Sequence, residues 1–243
     1  MKYWLLVGSF LLYALTAAAN TGPSPNKVLR VYGPGGPHHV MEECAELFQQ
    51  KSGIEVIIEK ALPHNLDAKI DLDGDIYYGG AECMLEEFTL RNPGILDLST
   101  VERLHPRKVG IIVRKGNPYA IETTEDLAQK GVHLLDVRLE NMRDFHGSDK
   151  DLASNIRRFV YTGQQGLAAW HASPEIDAWV TYKSWHIKLR DGAEFIEIPE
   201  DDALRFTPAA LTLRTPHREE AQSFLAFLKS EEAQDIFRKH GWY

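Results

Sequence analysis

The spacing of apolar and polar positions changes several times along this chain, and each change marks an element. Residues 27–32 (KVLRVY) have the β-branched and aromatic content of a short strand. From Val40 the apolar positions fall at helical spacing, through Met41, Cys44, Leu47 and Phe48, until Gly53 stops the run. Between strand and helix lies VYGPGGP (31–37), a tight turn poor in side chains. Gly36 is expected as the N-cap and Pro37 at the first helical position, where its missing N–H goes unneeded. Strand, turn and helix recur at 54–59, Pro63-His64-Asn65 and 66–70, and again at 75–78, Gly79-Gly80 and 81–90. Three such units predict a parallel sheet with its loops gathered at one end, where ligands of open α/β sheets sit.

The strongest strand signal follows at 109–114 (VGIIVR). Thr123 or Thr124 caps a helix through Ala128, and 132–137 reads as a strand. Residues 138–149 are polar, show no period and read as the longest loop. Leu152, Ile156, Phe159 and Val160 read as a helix that ends at Gly163. A strand at 176–180 runs into helical residues 181–185, and 193–198 and 209–213 are further strands. Two helices, 218–229 and 230–240, close the chain. There is no internal repeat.

The N-terminus changes the picture of where the protein works. Lys2, the apolar run 5–15 and Ala17-Ala18-Ala19 make residues 1–19 a signal peptide, with Asn20 first in the mature chain. The run is too short for a membrane span, and no cysteine follows it to carry a lipid. The protein is therefore expected in the periplasm. The remainder is long enough for one large α/β domain or two lobes. With 27 Lys+Arg against 35 Asp+Glu the net charge is −8, which argues against nucleic acid and anionic membranes as partners. A small anion is not excluded, because neutral dipoles in a dry cleft can hold one. Cys44 and Cys83 form either a disulfide, which export permits, or two separately buried thiols.

Candidate chemistry is sparse. The glycine turn at 33–36 is either an ordinary β-α connection or an anion seat built from backbone N–H groups at a helix start. GxSxG and HExxH are absent, and Cys44 sits on an apolar helix stripe where a thiol is inert. His38 and His39 are neighbours in a first helical turn and do not share a face, so they do not read as a metal pair. His64 stands in a turn where one ring N–H could reach an anion. Tyr77 and Tyr78 resemble the paired tyrosines of ferric-ion carriers, but successive strand residues point to opposite faces and only one, Tyr78, would near a ligand. Glu82, Glu86 and Glu87 read as a solvated helix face. Trp170, Trp179 and Trp185 read as core, with one free to wall a cleft.

LRVYGPGGP, KSGIEVIIE, GDIYYGGAECMLEEF, VGIIVRKGNP, DLAQKGVHLLDV, DAWVTYKSW and AQSFLAFLKSEEAQDIFRKHGWY stand in an order that resembles the type II periplasmic solute-binding proteins. Within them the chain is most similar to the accessory colonization factor AcfC type, related to the molybdate- and sulfate-binding proteins. The resemblance implies a two-lobed α/β fold, with two parallel or mixed sheets flanked by helices and joined by two crossing strands, here 109–114 and 209–213. Lobe I would comprise 27–112 and 209–243, and lobe II 113–208. It implies a non-enzymatic carrier of a small oxyanion such as sulfate or molybdate, or of a sulfated ligand, with no cofactor and no metal. A citrate-like carboxylate is the alternative, and a metal-ion carrier or hydrolase a more distant one. The implied ligand residues are Gly35, Gly36, His64, Asn65, Tyr78, Gly79, Gly80, Ala81, Arg143 and Tyr182. Glycines and Pro-His-Asn stand where molybdate-binding relatives offer serine hydroxyls, so backbone donors would replace them. Arg138 and Arg143 would suit a carboxylate or a sulfate ester if they face the ligand. A monomer is expected, with an ABC-transporter permease or a host mucin component as the macromolecular partner.

Overall fold

The computed structural model describes residues 28–146, 150–199 and 203–243; the expected signal peptide at 1–19 lies outside them. The three β-α units are present: β1 (Val28–Gly33) with α1 (His38–Ser52), β2 (Glu55–Lys60) with α2 (Pro63–Asp73), and β3 (Ile76–Tyr78) with α3 (Glu82–Arg91). β1 pairs in parallel with both β2 and β3. The apolar stripe of α1 (Val40, Met41, Cys44, Ala45, Phe48) is buried, each large member contributing roughly 1.5–3 kcal/mol. Gly53 ends the helix in the left-handed conformation (φ 73°), and its N–H donates to Gln49 O. The helix starts one residue later than expected, with Pro37 as the cap.

Then follow β4 (Glu102–Arg114), β5 (Leu134–Val137), α4 (Arg143–His146), α5 (Lys150–Asn155), β6 (Ile156–Val160) and α6 (Gly163–Ala172). β7 (Ala178–Tyr182), α7 (Lys183–His186), β8 (Ala193–Glu197), β9 (Leu204–Leu211), α8 (Arg218–Leu228) and α9 (Glu231–Lys239) complete the order. The described strands form one mixed sheet, β2-β1-β3-β9-β4-β7-β5-β6, with β8 also on β4. β4 is the hub. Its first half pairs antiparallel with β9, and its second half pairs with β7 on one edge and β8 on the other. One apolar cluster gathers around Val109, Ile111, Ile112, Trp179 and Trp185. Two others hold Leu29, Val31, Leu104, Phe224 and Phe237, and Tyr32, Tyr77 and Phe88. β4 thus feeds different cores from its two ends.

Several elements differ from the sequence expectation. The strand expected at 109–114 begins at Glu102, and the one expected at 209–213 runs over Leu204–Leu211. Residues 156–160 are a strand, not the end of a helix. Asn155 donates to the carbonyls of Leu127 and Gln129, which pins the end of α5, and Ile156, Phe159 and Val160 then pair beside β5. Tyr182 closes a strand instead of opening a helix. The expected loop at 138–149 contains a 3-10 turn at Arg138–Glu140 and the one-turn α4, while 147–149 lie outside the described residues. Cys44 and Cys83 are both free thiols, and burial pushes the Cys44 pKa up to about 12.

Candidate ligand-binding site

A cavity of about 280 Å³ opens where four helices begin. Pro34, Gly35 and Gly36 line it ahead of α1, Leu62 and Pro63 at the start of α2, Gly80 ahead of α3, and Thr162, Gly163 and Gln164 at the start of α6. The caps of α1, α2 and α3 are Pro37, Leu62 and Ala81, and none of them supplies a side-chain hydrogen bond. The N–H groups of Asn65 and Met84 close back on the carbonyls of their caps, Leu62 and Ala81, while the remaining first-turn N–H groups have no partner within their own helices and carry the positive end of each dipole. α6 differs: Thr162 Oγ1 accepts from the N–H of Gln165 and Gln165 Oε1 accepts from that of Thr162. That reciprocal cap leaves Gly163 and Gln164 at the cavity wall.

Three charged side chains, Arg107, Lys60 and Glu140, enter this ring of dipoles. Arg107 of β4 is 2% exposed, donates through Nη2 to the carbonyl of Gly80, and takes part in no ion pair among the described residues. Its Nε is buried without a partner. Its Cζ lies 3.6 Å from the ring centroid of Tyr182 and 5.1 Å from that of Trp242. Burial works against the charge of this guanidinium, yet arginine keeps its proton. A buried cation with a spare donor is costly to leave alone and well suited to an anion. Lys60, at the end of β2, lines the same cavity.

The third group is an acid. Glu140 accepts from Thr181 Oγ1 at 2.6 Å and from Trp185 Nε1 at 2.5 Å. Burial raises its pKa to about 7, and those donors together with Arg107 hold it from rising further. Met84, Leu139, Ala61 and Trp185 supply apolar wall between the polar groups.

The structure brings Gly35, Gly36, Gly80 and Tyr182 to this cavity. Ala81 is buried as the cap of α3, and the Gly79 N–H is taken by the carbonyl of Pro208. Tyr78 is fully buried, its ring so close to Gly33 that a Cβ there would clash. Tyr77 stacks on Phe88 and donates to Met84 O, and burial raises the pKa of both tyrosines. His64 and Asn65 are exposed on the first turn of α2 and do not line the cavity. His38 and His39 both contact Glu42. Arg143 and Arg138 line a separate polar cavity of about 340 Å³, which shares Pro63, Met84 and Leu139 with the first. Among the described residues no group of three or more His, Cys, Asp or Glu is placed to hold a metal ion.

Arg107 and Glu140 did not stand out in the sequence. Arg107 precedes a strong strand signal and Glu140 sits in a polar stretch without period, so neither carries a local mark.

Among solved structures, Peb3 from Campylobacter jejuni superposes with a TM-score of 0.72 at 26% identity, covering 88% of this chain and 98% of that one. PEB3 bound to L-phospholactate gives 0.73 at 25% identity with the same coverage. The periplasmic molybdate-binding protein of Azotobacter vinelandii shares the fold at 18% identity, with a TM-score of 0.64 over 88% of this chain and 98% of that one. The fold is thus that of the type II periplasmic binding proteins. No curated protein matches the chain. The family model of the bacterial extracellular solute-binding proteins matches residues 29–243, and the chain belongs to that family.

Proposed function

We propose that the protein is a non-enzymatic carrier that captures one small anion in the cavity around Arg107. One observation carries this reading: four helix starts and a buried, unpaired guanidinium converge on the same space. The cavity stands near the lower end of the ~300–1,000 Å³ typical of small-molecule sites, so a compact organic anion fits as well as a tetrahedral ion. PEB3 in its L-phospholactate complex is a neighbour that favours a phosphorylated or carboxylated three-carbon acid. Sulfate and molybdate, suggested by the AcfC-like motifs, are the inorganic alternatives, and citrate is the larger carboxylate.

In this reading Gly35, Gly36 and Gly80 lend backbone donors, Arg107 supplies the charge and Tyr182 stacks beneath it. The lobes 27–112 with 209–243, and 113–208, close over the ligand about β4 and β9 and present a new surface to a transporter permease. Delivery would occur in the periplasm.

A thermal-shift panel of sulfate, molybdate, phosphate, citrate, phospholactate and amino acids tests the proposal. Ligand at a hundred times its dissociation constant adds about 2.7 kcal/mol of stability and raises the midpoint visibly. A shift with anions alone supports the reading; silence across every anion overturns it.

A further inference from the structure

An acid is an odd lining for an anion site. Glu140 is 9% exposed, lines the cavity, and stands among the helix starts and Arg107. Thr181 fills one acceptor position on one carboxylate oxygen and Trp185 one on the other, and the Trp179 indole, whose N–H has no other partner among the described residues, also favours the ionised carboxylate. Each oxygen of an ionised carboxylate offers about two such positions, so acceptor capacity remains. Gly163 is why the carboxylate reaches this place: a Cβ there would lie 2.8 Å from Glu140 Oε1. The charged and titratable groups that act on Glu140 are Arg107 from β4 and Tyr182 from β7, with Lys60 of β2 on the same cavity wall.

From this geometry we infer that Glu140 is a specificity-determining residue, an acceptor that selects oxyanions bringing their own O–H, such as a hydrogen phosphate or a hydroxylated organic phosphate, over fully deprotonated oxyanions. The inference rests on the anion-carrier reading and narrows it. An oxyanion with an O–H directs its deprotonated oxygens to Arg107 and the helix starts and donates its proton to the carboxylate. An oxyanion without one meets a bare carboxylate lone pair, and it binds only when Glu140 has taken a proton from solvent. A site built around a buried acceptor rejects the analogue that lacks the donor, because the acceptor is then left facing like charge.

Inorganic phosphate and sulfate at pH 8.5 make a clean pair of probes, since both are tetrahedral dianions and differ by one proton. Titration calorimetry of the wild-type protein is expected to give phosphate at least roughly thirtyfold tighter than sulfate. Glu140→Gln is expected to bring the two within about threefold; its amide can accept from Trp185 and donate to Thr181 once that hydroxyl turns. Repeating the wild-type titrations in buffers of different ionisation enthalpy gives a readout independent of the variant's folding. Sulfate should take up close to one proton per site and phosphate close to none. Equal affinities in the wild type, an unchanged ratio in the variant, or equal proton uptake overturns the role of Glu140 and leaves the anion carrier standing. Binding of neither ion, together with silence across the organic anions, overturns both.

Discussion

The guanidinium of Arg107 lies 3.6 Å from the ring centroid of Tyr182, and both side chains are buried in the wall of the cavity. A desolvated contact of this kind is worth on the order of 2 kcal/mol. It also fixes where the charge can point, because the ring blocks one side and the Gly80 carbonyl holds one nitrogen. No salt bridge to a carboxylate holds the guanidinium among the described residues, although Glu140 lines the same cavity.

Replacing Arg107 therefore separates binding from stability. Arg107→Met should weaken anion binding by about 2–5 kcal/mol, and calorimetry with the best anion of the panel measures it. The unliganded variant should melt at or above the wild-type midpoint, because burying an unpaired cation costs more than burying a thioether. A large loss of apo stability would mean that the arginine is structural.

Glu140 sets a pH dependence. Its pKa rises from 4.5 in the unfolded chain to about 7 in the fold, so the native state binds the proton more tightly. That contribution is fully present below about pH 4.5 and is lost as pH rises through about 7. Each tenfold gain in proton affinity is worth about 1.4 kcal/mol, so the decline amounts to roughly 3 kcal/mol in all. Denaturant titrations of the unliganded protein between pH 4 and 8.5 should show this decline, and Glu140→Gln should remove it.

Gly163 leaves no room for a side chain. A Cβ there would lie 2.3 Å from Cζ2 of Trp185, so Gly163→Ala must displace the indole that donates to Glu140. The expected cost is about 1–3 kcal/mol, with a shift in tryptophan emission and weaker anion binding. Gly192 has nothing within 4 Å of its Cβ position, and Gly192→Ala should be near neutral in the same assays.

The free thiols should differ sharply. Cys44 is fully buried on α1 with its pKa pushed up to about 12, while Cys83 is half-buried with a smaller rise. Thiol labelling of the native protein should reach Cys83 slowly and Cys44 only on unfolding. Fast labelling of both would contradict the packing of α1.

Arg143→Ala should leave anion affinity within about twofold. Its side chain is exposed and lines the neighbouring cavity, away from the helix starts.

Glycine and proline turns at 33–37 and 79–80, with apolar spacing beyond them, were enough to place β1, α1, β3 and α3, and with them part of the cavity rim. These signals are local: a helix start needs only its own first turn. The strand Ile156–Val160 was not legible, because Leu152, Ile156 and Phe159 satisfy helical spacing equally well. Long-range contacts decide between the periods, namely the pairing with β5 and the anchoring of Asn155 on Leu127 and Gln129.

The same reason hid Arg107. The register of β4 on β9 shifts between Arg103 and Pro106, a bulge at a residue that has no N–H to pair. Leu104 is buried before it and Arg107 and Val109 after it, so the inward face changes parity along the strand. Without the bulge, strict alternation from Leu104 would turn Arg107 outward. Local pattern thus suffices for the backbone donors, since they belong to turns and helix starts. Arg107 and Glu140 come from β4 and the turn after β5, and each reaches the cavity only through long-range pairing: β4 with β9 about a hundred residues on, and β5 with β6 and β7.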